Sequence, residues 1–264
     1  MGPVVGTTPR RDGTDAIKKN ARVAGLLYLL AGILAVFSYQ YVPGALIVRG
    51  DAAATAYRVV TSEWVLRLGI ASELISAVLF IFLVLALYRL FKGVDRALAS
   101  LMVILVLVSI PISFVNVLSE IAALTLLSRA DLLSVFEKPQ LDALASMFLG
   151  LHGQGLVVVS IFWGLWLLPL GVLVMRSGFA PRVIGLLLIP AGLAYVIASS
   201  TNILLPQFAS VVSRLAPIPE GLGEVPMLLW LLITGMRATP LERAETATRP
   251  ELSVEAAGME RSEA

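Results

Sequence analysis

The chain is built of long apolar runs separated by short polar stretches. The first run, residues 22–42, has the roughly 20 apolar residues that a helix needs to cross a hydrocarbon core. It exceeds the 7–15 of a signal-peptide core, and no small-x-small cleavage site precedes Tyr39, so it predicts a retained helix. Further runs cover residues 64–91, 97–127, 147–175, 183–205 and 222–236. The second and third are longer than a perpendicular crossing and imply tilt or extension beyond the lipid. The sixth is the shortest, and Pro226 interrupts its start. The pattern predicts an all-α polytopic membrane helix bundle with six transmembrane helices. Its domains are a disordered arm (1–20), a six-helix transmembrane domain (21–237) and a disordered tail (238–264) with six Glu and three Arg.

Two connections are long enough to hold structure. Asp51 is placed to cap a short helix over residues 52–61, with Ala53, Ala56, Tyr57 and Val60 toward the membrane surface. Between the third and fourth runs, Leu132, Leu133 and Phe136 form an apolar patch, and Pro139 opens a second short helix with Leu141, Leu144 and Phe148 on one face. Together they predict an interfacial lid, or a gate if a pocket lies beneath.

Composition agrees with the pattern: 58% of the 264 residues are hydrophobic, 14% are charged, and mean hydropathy is +0.89. Soluble domains are nearer 45–50% apolar and a quarter charged. With no Cys, disulfides, thiolate nucleophiles and cysteine-held metals are excluded. With one His, so is every site that needs two imidazoles. The net charge of +2 is spread between apolar runs, which speaks against nucleic acid and for topology. Placing the N-terminus in the cytoplasm puts 14 of the 20 Lys and Arg on that side, so both termini are predicted to be cytoplasmic.

Ionisable groups within apolar helices cost about 2.5–3.5 kcal/mol or more at the helix centre and each calls for a reason. Counted along the runs, Arg67, Glu73, Asn116, Glu120, His152, Gln154 and Asn202 all fall in the outer third of the membrane, with almost nothing ionisable deeper. Asn116 and Glu120 are four apart and share a helix face. This asymmetry disfavours a channel or a continuous proton wire and suggests an outward-facing polar pocket. Glu73 can pair with Arg67 or Arg129, and Glu120 with His152. The plainer reading is that these groups merely satisfy one another near the interface. His152 with Glu73 and Glu120 makes a one-imidazole, two-carboxylate set that zinc accepts. A lone histidine is more often a satisfied hydrogen-bonding group, so neither metal nor cofactor is expected.

Other strings are weaker. Residues 150–155, Gly-Leu-His-Gly-Gln-Gly, follow no strand and lack the GK[ST] of a phosphate cradle; their small residues predict close backbone approach. Pro169 should kink the fourth helix, where Trp163 and Trp166 lie too deep for an interfacial belt. The first and fifth runs match at Arg22/Arg182, Gly25/Gly185, Ala31/Ala191 and Gly32/Gly192, which suggests a parallel duplication and predicts tight contacts at both glycine pairs.

Two strings, residues 50–99 and 151–196, the latter with the S-G-F-x-P-R-x-x-G turn from Ser177 to Gly185, resemble the bacterial multipass family known as domain of unknown function 4386. The resemblance covers roughly residues 20–237. It implies a six-helix protein of the bacterial cytoplasmic membrane and brings no catalytic residues. It also gives the turn a role as a cytoplasmic connector, with Gly178 ending one helix, Pro181 starting the next, and Arg176 and Arg182 on lipid phosphates. The sequence therefore points to membrane lipids as partners and to binding or transport of a small amphiphile. The alternatives are an intramembrane enzyme on a lipid-like substrate, with Glu73 or Glu120 as acid/base and His152 as partner, and an accessory subunit.

Overall fold

A computed structural model describes residues 9–128 and 135–234. The described residues are helical, without a strand, and include six helical segments long and apolar enough to cross a membrane. In chain order the helices are α1 (Pro9–Val36), α2 (Val42–Leu46), α3 (Ala52–Thr61), α4 (Glu63–Phe91), α5 (Arg96–Ser128), α6 (Lys138–Leu165), α7 (Leu167–Ser177), α8 (Arg182–Leu204), α9 (Ala209–Leu215) and α10 (Pro217–Thr234). The tail expected over 238–264, residues 1–8 of the arm, and Leu132, Leu133 and Arg129 lie outside the described residues.

Several boundaries differ from the apolar pattern, each for a local reason. Residues 9–20, expected to be disordered, are the opening turns of α1, because extending an existing helix costs far less than nucleating one. A π-helical turn, Phe37–Tyr41, joins α1 to α2, just ahead of Pro43, whose ring and missing N–H disrupt the preceding turn. The second lid helix is absent as a separate element: the segment after Glu137 is the start of α6, which continues unbroken into the fourth span. Glu137 and Gln140 form a reciprocal capping box there. Further along, the helix breaks at Trp166, three residues before Pro169, where the proline leaves a carbonyl without its N–H partner.

Asp51 caps α3 as expected, its Oδ1 accepting from Ala54 N at 2.8 Å. Asp51→Ala should cost about 1 kcal/mol and speed amide exchange at Ala54; unchanged exchange would show that the cap is idle. Of the predicted surface face, Ala53, Tyr57 and Val60 are exposed while Ala56 turns inward beside Val59.

Burial sorts the bundle into three layers. At one end, Leu83, Leu87, Phe91, Met102, Val106, Trp166, Leu170, Leu188 and Leu231 belong to a large apolar core. At the α3 end, Val42, Leu46, Val59, Leu66, Ala123 and Leu149 belong to a smaller one. Between them, on α4, α5 and α6, sit the buried polar residues Ser72, Glu73, Ser76, Ser109, Ser113, Asn116, Glu120 and His152. Ile75, Phe82, Ile104, Val115, Leu118, Leu186 and Ile197 point outward and exposed, as a lipid-facing surface requires.

The two runs that match in sequence are used differently. Gly185 and Gly192 on α8 interlock with Gly171 and Gly164, and an added Cβ would meet backbone oxygens at 2.4–2.9 Å at all four positions. The pairs are disposed evenly about Gly178, which ends α7 in the left-handed region at φ 71°. In the first span, Gly25 abuts the backbone of Leu231 and Leu232 on α10, but Gly32 meets nothing within 4 Å. In the connector, Arg176 donates to Asp95 Oδ2 at 3.0 Å.

Candidate functional site

Three helices deliver the polar layer to one point. Glu73 lies ten residues into α4, about 15 Å below its first residue. Glu120 lies eight residues before the end of α5, and His152 is midway along α6. His152 Nε2 stands 3.2 Å from Glu73 Oε2, and its Nδ1 3.3 Å from Glu120 Oε1. All three side chains are buried, Glu73 to 1% exposure. Yet Glu73 Oε1 and Oε2, Glu120 Oε2 and His152 Nε2 have no hydrogen-bond partner among the described residues.

Asn116 sets the position of α6. Its Nδ2 donates to His152 O at 3.0 Å, and its amide fills the space over Gly155, where a Cβ would come within 1.8 Å of Asn116 Oδ1. The glycine at 155 thus admits a side chain, where close backbone approach was expected; Gly150 and Gly153 meet nothing within 4 Å.

The remaining polar candidates stay apart from this cluster. Arg67 is exposed and pairs at 2.6 Å with Glu63 one turn away, so it does not reach Glu73. The pairing is local because a surface position leaves the guanidinium in contact with water or headgroups. Gln154 is exposed on the opposite side of α6 from His152. Asn202 donates to Ala198 O one turn back on its own helix and to Ser213 Oγ, which ties α8 to α9.

Next to the cluster, a cavity of about 680 Å³ lies between α1, α4, α5, α6, α8 and α10. Ser76, one turn from Glu73, and Ser113, one turn from Asn116, are in its wall. So is Tyr39. Aromatic rings supply much of the lining: Tyr39 packs against Trp163 at 5.3 Å, and Phe80 meets Trp166 edge-on at 5.4 Å. Ile33, Val36 and Val225 line it and are more than half exposed, so the cavity opens between α1 and α10.

Its acidic end was not anticipated from sequence. Glu224 on α10 accepts hydrogen bonds from Tyr28 on α1 and, at 2.8 Å, from Tyr195 on α8; Glu220 lines the wall one turn away. Among the described residues no Lys or Arg lines this cavity. Glu224 bonds Tyr28, only six residues past Arg22 at the start of the first run, so it lies deeper than the outer third, and the expectation that deeper positions hold almost no ionisable group is corrected here. A signal was available: a carboxyl within an apolar run carries an insertion cost that demands a partner. The tyrosines that supply it are 196 and 29 positions away, and nothing in their local pattern marks them.

In comparison with known proteins, the family described as a domain of unknown function (DUF4386) matches residues 23–235. No curated protein and no solved structure matches the chain.

Proposed function

Starting from the premise that the chain belongs to the DUF4386 family, whose description carries no activity, we propose that it binds a small amphiphile with a cationic head in the cavity between α1 and α10. Binding serves capture or transport on the outer side of a bacterial cytoplasmic membrane. The observation that carries this reading is Glu224, held by Tyr28 and Tyr195 at the wall of an aromatic cavity that is lined by Glu220 and, among the described residues, by no basic one. A volume of about 680 Å³ falls in the range of small-molecule sites, roughly 300–1,000 Å³. Aromatic faces attract cations by about 0.5–2 kcal/mol, more as the site is desolvated. Entry from the bilayer side suits an alkyl chain that never has to leave apolar surroundings.

The test compares dodecyltrimethylammonium with dodecyl sulfate, added to the protein in lipid nanodiscs and followed by the fluorescence of Trp163 and Trp166. The cation is expected to bind saturably and the anion not. Glu224→Gln, which keeps shape while removing charge, should weaken the cation about tenfold. Equal binding of both amphiphiles, or an unaltered Glu224→Gln, overturns the reading.

A second reading, an enzyme acting on a lipid-like substrate, draws on the gathering of two carboxylates around one imidazole, the elements of an acid–base pair. Glu73→Gln that abolishes turnover of a lipid while leaving cation binding intact would favour it.

A further inference from the structure

We propose that Glu73, Glu120 and His152 form a binding site for one divalent transition-metal ion of the zinc class, built into the bundle between α4, α5 and α6. The inference is separate from amphiphile binding, which rests on Glu224, and it replaces the sequence expectation that no metal is held.

Geometry is the first support. One ligand atom from each of the three residues lies within 4.8 Å of the others. Ligands 2.0–2.2 Å from a tetrahedral ion stand about 3.4 Å apart, close to the 3.2 Å between His152 Nε2 and Glu73 Oε2; Glu120, whose Oε1 stands 3.3 Å from Nδ1, turns its carboxylate to join an ion held on Nε2. A set meant only to bond internally would align its donors with its acceptors. Here Nε2 and Glu73 Oε2 stand 3.2 Å apart and are still unpartnered, and Glu73 Oε1 and Glu120 Oε2 also lack a partner among the described residues. Buried polar atoms are almost always satisfied, and four orphans in one cluster point to a missing common partner.

Charge is the second support. With both carboxyls ionised and the imidazole neutral the set would carry −2, an expensive load between two apolar cores that a divalent cation would bring to zero. One imidazole nitrogen with two carboxylate oxygens is a donor set that zinc accepts, and that manganese and iron share. Asn116 braces the histidine's helix through His152 O, and Gly155 leaves room for that brace. The wall residues Tyr39, Ser76 and Ser113 bring the neighbouring cavity alongside the cluster.

The experiment uses the full chain in nanodiscs, stripped with chelator and titrated with Zn²⁺ against a chromophoric competitor, with Co²⁺ as a spectroscopic probe. One equivalent of Zn²⁺ is expected, and Co²⁺ should develop visible bands of a low-coordinate nitrogen–oxygen site. Glu73→Gln, Glu120→Gln and His152→Asn should each weaken Zn²⁺ by at least the roughly 10–100-fold that loss of an outer-shell partner costs. Glu63→Gln on the surface and Glu224→Gln in the cavity should bind as the wild type does. The wild-type titration decides alone should the cluster variants fail to fold. Absence of saturable one-to-one binding, Co²⁺ bands of a hexaaquo ion, or undiminished affinity in folded Glu73→Gln with His152→Asn overturns the site. Loss of amphiphile binding in Glu224→Gln with Zn²⁺ binding intact would separate the two proposals.

Discussion

Gly192→Ala is expected to destabilise the bundle by about 1–3 kcal/mol, read as an earlier midpoint in detergent-driven unfolding. Its Cβ would stand 2.6 Å from Gly164 O, and the reciprocal change at Gly164 would stand 2.4 Å from Gly192 O. The obstructing atoms are backbone, so no side chain can rotate away; α8 must separate from the α6–α7 junction. That separation would also draw Tyr195 away from Glu224 and enlarge the cavity's acidic end. Gly32→Ala is the matched control: it occupies the corresponding place in the first span and has no neighbour within 4 Å. It should be neutral or slightly stabilising, because alanine is the better helix former by up to about 1 kcal/mol. If both variants unfold at the wild-type midpoint, the α6–α8 backbone contact is not what holds this face together.

The second large effect is expected at Gly155→Ala. With a Cβ 1.8 Å from Oδ1, Asn116 has to swing out and release His152 O. Overpacking costs about 1–3 kcal/mol, and the lost hydrogen bond about 1 more. Asn116→Ala vacates the same space, so the double variant should be less destabilised than the sum of the two singles, with a coupling of about 0.5–3 kcal/mol. Strict additivity would mean that the amide and the glycine do not share a site. Because His152 rides on the same turn of α6, Zn²⁺ affinity should fall in Gly155→Ala alongside stability.

The contrast between Gly32 and Gly192 shows how far the pattern can be read. The seven-residue spacing in both runs predicts tight contacts, and three of the four glycines make them. The fourth lines the cavity, because α1 meets α10 at Gly25 and leaves Gly32 open. Glu120 beside His152 is legible as a possible pair from their depth along successive runs. Arg67 beside Glu73 is equally plausible on the same grounds, and there the structure gives Arg67 to Glu63. Depth along a helix follows from counting residues; the direction a side chain faces does not.

By itself the sequence determined the six spans, most of their ends, the Asp51 cap, the break near Pro169 and the turn at Gly178. These are local matters, decided by apolar length, by the missing N–H of proline and by the one residue free to adopt positive φ. Only the tertiary structure decided which polar groups meet. In these helices both the lipid and the neighbouring helices are apolar, so hydrophobic periodicity hardly fixes rotation about the helix axis. Rotation is set by where glycines let backbones close and where an amide or hydroxyl finds a partner. Those contacts turn Glu73, Glu120 and His152 toward one another and bring two distant tyrosines onto Glu224.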